Sequence, residues 1–229
     1  CKDCCWPCGA PCGNGSVKNG LTLSVLVAVS AGAVGFWSSF DIWVTPEHKN
    51  GKFALKWWYW DPENNIQQRA DRHKVPYPLW RNQGLLTATP GDTIDYEFIK
   101  KKIKDLSKIY DVQEIAYDPW NASKLNQDLK NEGFEMVVFR QNFTNMSPAT
   151  KNFQVMTLNQ KICHGNHPIS NWCASNMILK MDAMGNVMPD KLKSTEKIDG
   201  MVASIEALDR AIRHEGKKSV YESEGVREV

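Results

Sequence analysis

Strand-like and helix-like patterns alternate through the middle of the chain, and this alternation limits the fold more than any other feature. A strand pattern at residues 53–60 precedes a helical pattern that begins near Asp95. A second strand pattern at 112–117, a helical pattern at 122–131 and a third strand pattern at 134–139 follow. This order predicts an α/β layer with a mixed sheet rather than a helical bundle or a β-sandwich.

Other local signals extend the predicted layer on both sides. A turn at 45–52 lies between two strand-like runs, which predicts a β-hairpin. A short helix is expected in the polar segment 61–71, and a last amphipathic helix is expected from Asp199 to Ile212. The charged tail 213–229 is expected to be disordered.

The first 40 residues differ in character from the rest of the chain. Residues 21–40 contain no charged side chain, so they could form a membrane span or two buried strands, and their serines and glycines favour the strands. Most of the cysteines crowd before this stretch. Their spacing allows a zinc site, but no second separated pair follows, so we expect an irregular tail; the cysteines are Cys1, Cys4, Cys5, Cys8 and Cys12.

Charge and motif content exclude several function classes. The formal net charge of +2 gives no general attraction to a polyanion, so any nucleic-acid site must be local. No glycine-rich phosphate loop of the Walker type is present, and we therefore expect no ATP hydrolysis by this chain. Cys163, His164, His167 and Cys173 lie near one another in sequence, but nothing forces them to converge on a zinc ion.

Two aspartates stand where α/β proteins often build their sites. Asp118 follows an apolar strand, and Asp199 stands at the amino end of the last predicted helix; a surface loop and a helix cap are the ordinary alternatives. If they met, their hard oxygen ligands would suit Mg²⁺ or Mn²⁺. Lys191, Lys193 and Lys197 could contact phosphates or simply face solvent. From the residues alone, the prediction is an α/β domain with an acidic metal site.

Longer motifs resemble the nuclease half of phage terminase large subunits. The resemblance runs in order, without large gaps, from about Trp57 to Ile212. The segments that carry it include Val75-Pro76-Tyr77-x-x-Trp80, Thr89-Pro90-Gly91-Asp92, Tyr117-Asp118-Pro119-Trp120-Asn121-Ala122, Gly133-Phe134-Glu135-Met136-Val137, His164-Gly165-x-x-Pro168 and Lys193-Ser194-Thr195-x-Lys197-Ile198-Asp199-Gly200.

The resemblance implies a fold, a chemistry and a set of partners. The implied fold is an RNase H-like mixed β-sheet flanked by helices, whose acidic residues bind two Mg²⁺ or Mn²⁺ ions and cut double-stranded DNA during genome packaging. Asp118 and Asp199 would be the catalytic metal ligands, and Lys197, Lys193 and Lys191 would contact DNA. The implied partners are double-stranded DNA, the terminase ATPase motor, the small terminase subunit and the portal. The implied setting is the cytoplasm of a bacterial host, with no membrane involved.

One element of the family pattern is missing. Terminase nucleases carry a third aspartate on the first strand, yet residues 28–35 contain no acid, and Asp41 lies too close to the following turn. We therefore divide the chain into an atypical segment 1–40, a nuclease domain 41–212 and a tail 213–229. We hypothesise that a frameshift replaced the first strand; translating the other two reading frames and finding no Gly-x-Asp-like strand would remove this idea.

The missing acid opens an alternative function. Losing one ligand removes negative charge that a two-ion site needs, so the alternative is a noncatalytic DNA-binding or packaging-assembly module, or a degenerate prophage remnant. The family's ATPase motor does not occur in this sequence, so we expect a fragment or a split gene product.

Overall fold

The computed structural model describes residues 22–29, 37–43, 53–119 and 123–215, and for the first two ranges it describes the backbone pairing alone. Seven strands form one mixed sheet in the order β4-β3-β2-β1-β5-β6, with β7 beside β3. β2 is antiparallel to both of its neighbours, and the other pairs are parallel. The strands are β1 Thr22–Val29, β2 Trp37–Trp43, β3 Phe53–Pro62, β4 Thr87–Thr89, β5 Asp111–Tyr117, β6 Met136–Val138 and β7 Ile162–Cys163.

Helices cover both faces of this sheet. They are α1 Ile66–His73, α2 Tyr77–Asn82, α3 Tyr96–Ser107, α4 Ser123–Asn131, α5 Phe143–Leu158, α6 Pro168–Asn176 and α7 Asp199–Glu215. A 3-10 turn at Glu63–Asn65 precedes α1, and a small hairpin of β8 Leu179–Met181 and β9 Val187–Pro189 lies between α6 and α7.

The alternation of side chains along β3 and β5 separates two apolar cores. Tyr59 and Ala116 belong to the larger core, with α1, α2, α5, α6 and α7, whereas Trp60 and Ile115 belong to the smaller one, with α3 and α4. Successive residues of a strand point to opposite faces of a sheet, so these pairs of neighbours mark its two sides. α7 packs on the larger-core face, where it contacts β1, β2, β3 and β5.

The structure confirms the predicted mixed α/β sheet and most of its elements. β2 and β3 form the predicted hairpin, although its turn at 44–52 lies outside the described residues. The uncharged stretch contributes β1 and the start of β2, as the two-strand interpretation expected. In the described part of the chain, no helix is both long and apolar enough to cross a membrane.

The predicted segment boundaries fall close to element boundaries without coinciding with them. The boundary at residue 40 cuts through β2, which pairs with β3 along its whole length. α7 continues to Glu215, beyond the boundary at residue 212. The cysteine-rich start and residues 216–229 lie outside the described residues.

The packing of His167 against the core face of β3 predicts that the stability of the fold depends on pH. The ring of His167 packs against Trp57 and Tyr59, at centroid separations of 5.9 and 5.4 Å, and its buried Nδ1 has no hydrogen-bond partner. Burial lowers the pKa of His167 to about 4. Below about pH 6.5, His167 therefore binds a proton in the unfolded chain but not in the folded chain. The free energy of unfolding is fully present above that pH and decreases as the pH falls towards 4.

We expect His167→Phe to remove this loss. Between pH 7 and pH 4.5, wild type should lose about 2 kcal/mol more unfolding free energy than the variant, after discounting for partial exposure of the ring. Urea denaturation at the two pH values measures the difference. His164→Phe, at an exposed position, is the control. If the free energy of unfolding depends on pH equally in wild type and in His167→Phe, the burial of neutral His167 does not destabilise the fold in acid.

Candidate functional site

Asp118 lies where β5 ends. β5 pairs in parallel with β1 on one side and β6 on the other, so Asp118 stands at the carboxyl end of neighbouring parallel strands. Only 8% of its surface is exposed. A loop aspartate on the surface would be largely solvated, so the ordinary alternative for this residue does not describe it.

Asp199 is the first residue of α7, and it is 3% exposed. The next residue, Gly200, packs closely against β3 and α6: a Cβ at this position would lie 2.5 Å from the Tyr59 hydroxyl and 3.2 Å from Cys173 Sγ. The start of α7 is therefore fixed against the core. The Lys191 ammonium lies 3.4 Å from Asp199 Oδ1.

Glu206 lies two helical turns after Asp199 on α7, and it is completely buried. Neither of its carboxylate oxygens makes a hydrogen bond of normal geometry. Burial raises the pKa of Glu206 to about 8; the Lys191 charge and the Gln141 amide oppose this rise, and the Asp118 and Asp199 charges add to it. Both aspartates thus lie close enough to act on one buried carboxyl.

Asp118 and Asp199 each lie within electrostatic range of Glu206, an acid that the sequence analysis missed. The available signal was spacing: residues seven apart on a helix share a face, and Glu206 follows Asp199 at that interval within a segment that is apolar apart from Ser204. Gln141, Met146, Asp190 and Lys191 line a small pocket beside this group.

The three predicted DNA-contacting lysines occupy different surroundings. Lys191 faces Asp199. Lys197 is half-buried. Burial raises the pKa of Asp61 to about 6, although the charges of Arg69 and, to a smaller extent, Lys197 lower it. Lys193 is exposed. Contact of these lysines with DNA stays a prediction.

The chemistry of the acidic group fits a hard divalent cation. Carboxylate oxygens are the ligands that Mg²⁺ and Mn²⁺ prefer, and a buried carboxyl such as that of Glu206 is costly to ionise without a compensating positive charge. Within the described ranges, no three His, Cys, Asp or Glu side chains are gathered closely enough to hold one ion together. Mg²⁺ usually keeps several waters, so one or two carboxylates per ion would suffice.

Comparison with known families identifies the family of this chain. The family model described as "Terminase large subunit, endonuclease domain" matches residues 42–215. The chain belongs to this family. The match begins one residue after the predicted start of the nuclease domain, and it includes Asp118, Asp199 and Glu206.

Individual relatives of this terminase nuclease domain support the same assignment. The large subunit of the terminase of Enterobacteria phage HK97 is 32% identical over 178 residues, which are 76% of this chain and 35% of that protein. Protein YmfN of Escherichia coli strain K12 is 33% identical over 180 residues, which are 76% of this chain and 39% of that protein. The chain thus spans less than two fifths of the length of either relative.

Solved structures confirm the RNase H-like terminase fold. The crystal structure of the HK97 large terminase matches 85% of this chain and 40% of that chain, with a TM-score of 0.76 and 28% identity. The large terminase nuclease of thermophilic phage G20c matches 83% of this chain and 82% of that chain, with a TM-score of 0.54 and 10% identity. A likeness at such low identity concerns the fold alone.

Proposed function

We propose that this chain is a divalent-metal-dependent endonuclease domain that hydrolyses phosphodiester bonds of double-stranded DNA during phage genome packaging, in the cytoplasm of the host. Its family membership supports the nuclease role. The observation that carries the proposal is the convergence of Asp118 and Asp199, which come from different elements and both act on buried Glu206. Like charges repel, so a group of buried acids is stabilised either by protonation or by a compensating cation.

In this proposal, Asp118 and Asp199 hold two Mg²⁺ or Mn²⁺ ions. These residues would hold the ions, and the bound metal would supply activation of a water molecule and stabilisation of the oxygen that leaves the cut strand. The fixed start of α7 keeps the Asp199 carboxylate in one orientation, and Lys193 and Lys197 hold substrate phosphates. A terminase nuclease of the same fold, from phage G20c, has been crystallised with bound magnesium.

The implied partners follow from the family rather than from any contact in the structure. The terminase ATPase motor, the small terminase subunit and the portal would bring DNA to this domain and position the cut. The relatives are longer than this chain by more than twofold, which leaves room in them for other activities.

One observation favours a second candidate, a noncatalytic DNA-binding or packaging-assembly module. β1, the central strand, reads Thr-Leu-Ser-Val-Leu-Val-Ala-Val and carries no acid. Its register places Leu26 beside Ala116, so the part of β1 nearest Asp118 offers no carboxylate. A site with fewer ligands binds metal more weakly and cuts more slowly.

Metal dependence of DNA cleavage separates the two candidates. We expect the purified chain to nick supercoiled plasmid in Mn²⁺ and to stop when EDTA removes the metal, while DNA binding persists in a gel-shift assay. Ca²⁺, which prefers more ligands in a looser geometry, is expected to support binding with little cutting. Binding to DNA in Mn²⁺ without any nicking would favour the noncatalytic module.

A further inference from the structure

The carboxyl-terminal end of α1 lies beside the segment that leads to Asp199. This segment connects β9 to α7, and its Glu196 Oε1 lies 2.8 Å from Nδ1 of His73, the last residue of α1. One turn earlier on α1, Arg69 forms an ion pair with Asp61, near the end of β3. The two contacts hold α1 next to the start of α7.

This end of α1 stands at the same edge of the sheet as Asp118. β2 is antiparallel to both β1 and β3, so β3 runs in the same direction as β1 and β5. Tyr59 on β3 packs against Gly200 at the start of α7. Asp61 follows Tyr59 by two residues, so it points to the same face about 7 Å further along the strand. The partner of Arg69 thus lies on the face that carries α7, at the edge where β5 ends in Asp118.

The segment between β9 and α7 has a fixed backbone. The Asp190 carbonyl accepts hydrogen bonds from the backbone N–H and the hydroxyl of Ser194, at 3.0 and 2.7 Å. Asn176 on α6 donates a hydrogen bond to the Lys197 carbonyl and accepts one from the Thr195 hydroxyl. A side chain on an organised backbone loses less freedom when it binds, so the lysines of this segment suit contact with phosphates.

The exposed cations of these two elements are available to an anion. The neighbouring acids are already engaged, since Asp71 accepts a hydrogen bond from Gln67 and Glu196 contacts His73. Within the described part of the chain, three exposed cations here have no acidic partner, and they are Arg72, Lys74 and Lys193.

The lysines of α3, which packs on the other face of the sheet, differ in this respect. Lys100, Lys104 and Lys108 each pair with an acid of α3 or of the α4 region. Their charges are largely neutralised within the protein, so this basic helix offers a weaker field to a polyanion than the end of α1 does.

The backbone of Lys74 gives a separate reason to look for a use of its side chain. Lys74 follows the last residue of α1 and has a φ of 57°, in the left-handed region. Glycine is the usual residue at this position, because a side chain is strained there. A lysine is therefore kept at a conformational cost, as is common for residues that act in binding.

We propose that the end of α1 and the segment between β9 and α7 form one phosphate-binding surface, across which the backbone of duplex DNA reaches Asp199. Arg72 and Lys74 supply contacts beyond those assigned to the lysines of the segment, and the contact between His73 and Glu196 joins the two halves. This inference rests on the proposed nuclease function and adds to it the path of the substrate. Such contacts position a duplex without reading its sequence.

The salt dependence of DNA binding tests this surface. The whole chain is titrated in EDTA, so that metal plays no part, against a fluorescently labelled DNA duplex, and anisotropy gives the affinity at several salt concentrations. Each lost phosphate contact makes the slope of log affinity against log salt shallower by about 0.9. Arg72→Gln with Lys74→Gln should therefore lose about 1.8 of this slope and bind about tenfold or more weakly at low salt. Lys104→Gln with Lys108→Gln removes the same charge from α3 and should keep the wild-type slope.

A further variant separates binding from stability. Lys74→Gly removes the side chain and suits the left-handed backbone, so it should melt slightly above wild type while its salt slope becomes shallower by about 0.9. Wild-type DNA binding by Lys74→Gly would show that Lys74 makes no phosphate contact.

The outcomes separate this inference from the proposed function. A wild-type salt slope for Arg72→Gln with Lys74→Gln would overturn the surface, and so would an equal loss of slope in the α3 variant. Nicking in Mn²⁺ that depends on Asp118 and Asp199 would still support the nuclease in either case. If the α1 variant loses slope as expected but wild type never nicks DNA in Mn²⁺, the DNA-binding surface stands and the nuclease function is wrong.

Discussion

Replacing Asp118 or Asp199 with asparagine is expected to reduce Mn²⁺-dependent nicking by roughly 10³-fold, because a lost metal ligand removes several kcal/mol of transition-state stabilisation. Asparagine keeps the shape of the side chain but not its charge, so the fold should change little. Both residues are buried beside Glu206, and removing either charge reduces the repulsion among these acids. The measurement is the initial rate of plasmid nicking at saturating Mn²⁺.

The control for these variants is Asp105→Asn. Asp105 lies on the exposed face of α3 and pairs with Lys108, away from the acidic group. It should nick DNA at the wild-type rate and melt at nearly the same temperature. The double variant Asp118→Asn with Asp199→Asn should be little worse than either single variant, since residues that act as one unit are not additive. If either single variant nicks DNA at the wild-type rate, the replaced residue is not part of the catalytic site.

Gly200→Ala is expected to destabilise the domain by about 1–3 kcal/mol, because extra atoms in a packed core force their neighbours to move. The added Cβ would lie 2.5 Å from the Tyr59 hydroxyl. Tyr59 cannot easily yield, since its side chain is buried and its hydroxyl lies 2.9 Å from Ser170 Oγ. Moving the start of α7 also moves Asp199, so nicking should fall roughly 10- to 100-fold. Urea denaturation and plasmid nicking measure the two effects.

A second substitution tests the cause of this effect. Tyr59→Phe removes the hydroxyl that the new Cβ would meet, at the cost of its contact with Ser170. The double variant should therefore be more stable than Gly200→Ala alone, although Tyr59→Phe alone is less stable than wild type. If the changes in the free energy of unfolding of the two single variants simply add in the double variant, the cost of Gly200→Ala does not come from contact with Tyr59.

Elements with strong local signals could be predicted from the sequence. The apolar run that forms β5 ends at Asp118, so the placement of this residue at the end of a strand followed from the pattern. α3 begins after Asp95, near the predicted start of the helical pattern, and the Asp95 carboxylate accepts a hydrogen bond from the Glu97 backbone. In both cases the information lies within a few residues of the element.

Elements that depend on tertiary context could not be predicted. α5 runs through Pro148, which usually interrupts a helix, and its buried face includes Ser147 and Thr150, so its apolar periodicity is weak. A charged residue in a helix normally marks a solvent-facing side, yet α7 is buried on all sides over residues 201–209, and Glu206 points inwards. Only the packing of α7 across the sheet brings Glu206 within electrostatic range of Asp118.

The packing of α7 on the sheet supports the proposal that two aspartates distant in sequence form one site. β5 lies beside β1, and α7 packs across the larger-core face of the sheet, where it contacts both of these strands. The contact between Gly200 and Tyr59 fixes this crossing, and the ion pair between Arg210 and Glu114 ties the later part of α7 to β5. The position of the carboxylates is thus a consequence of core packing.

Anomalous X-ray scattering from a crystal of the chain soaked in Mn²⁺ tests the shared cation site most directly. We expect manganese peaks within coordination distance of carboxylate oxygens of both Asp118 and Asp199. Manganese bound elsewhere, or no ordered manganese under conditions in which the protein nicks DNA, would contradict the account.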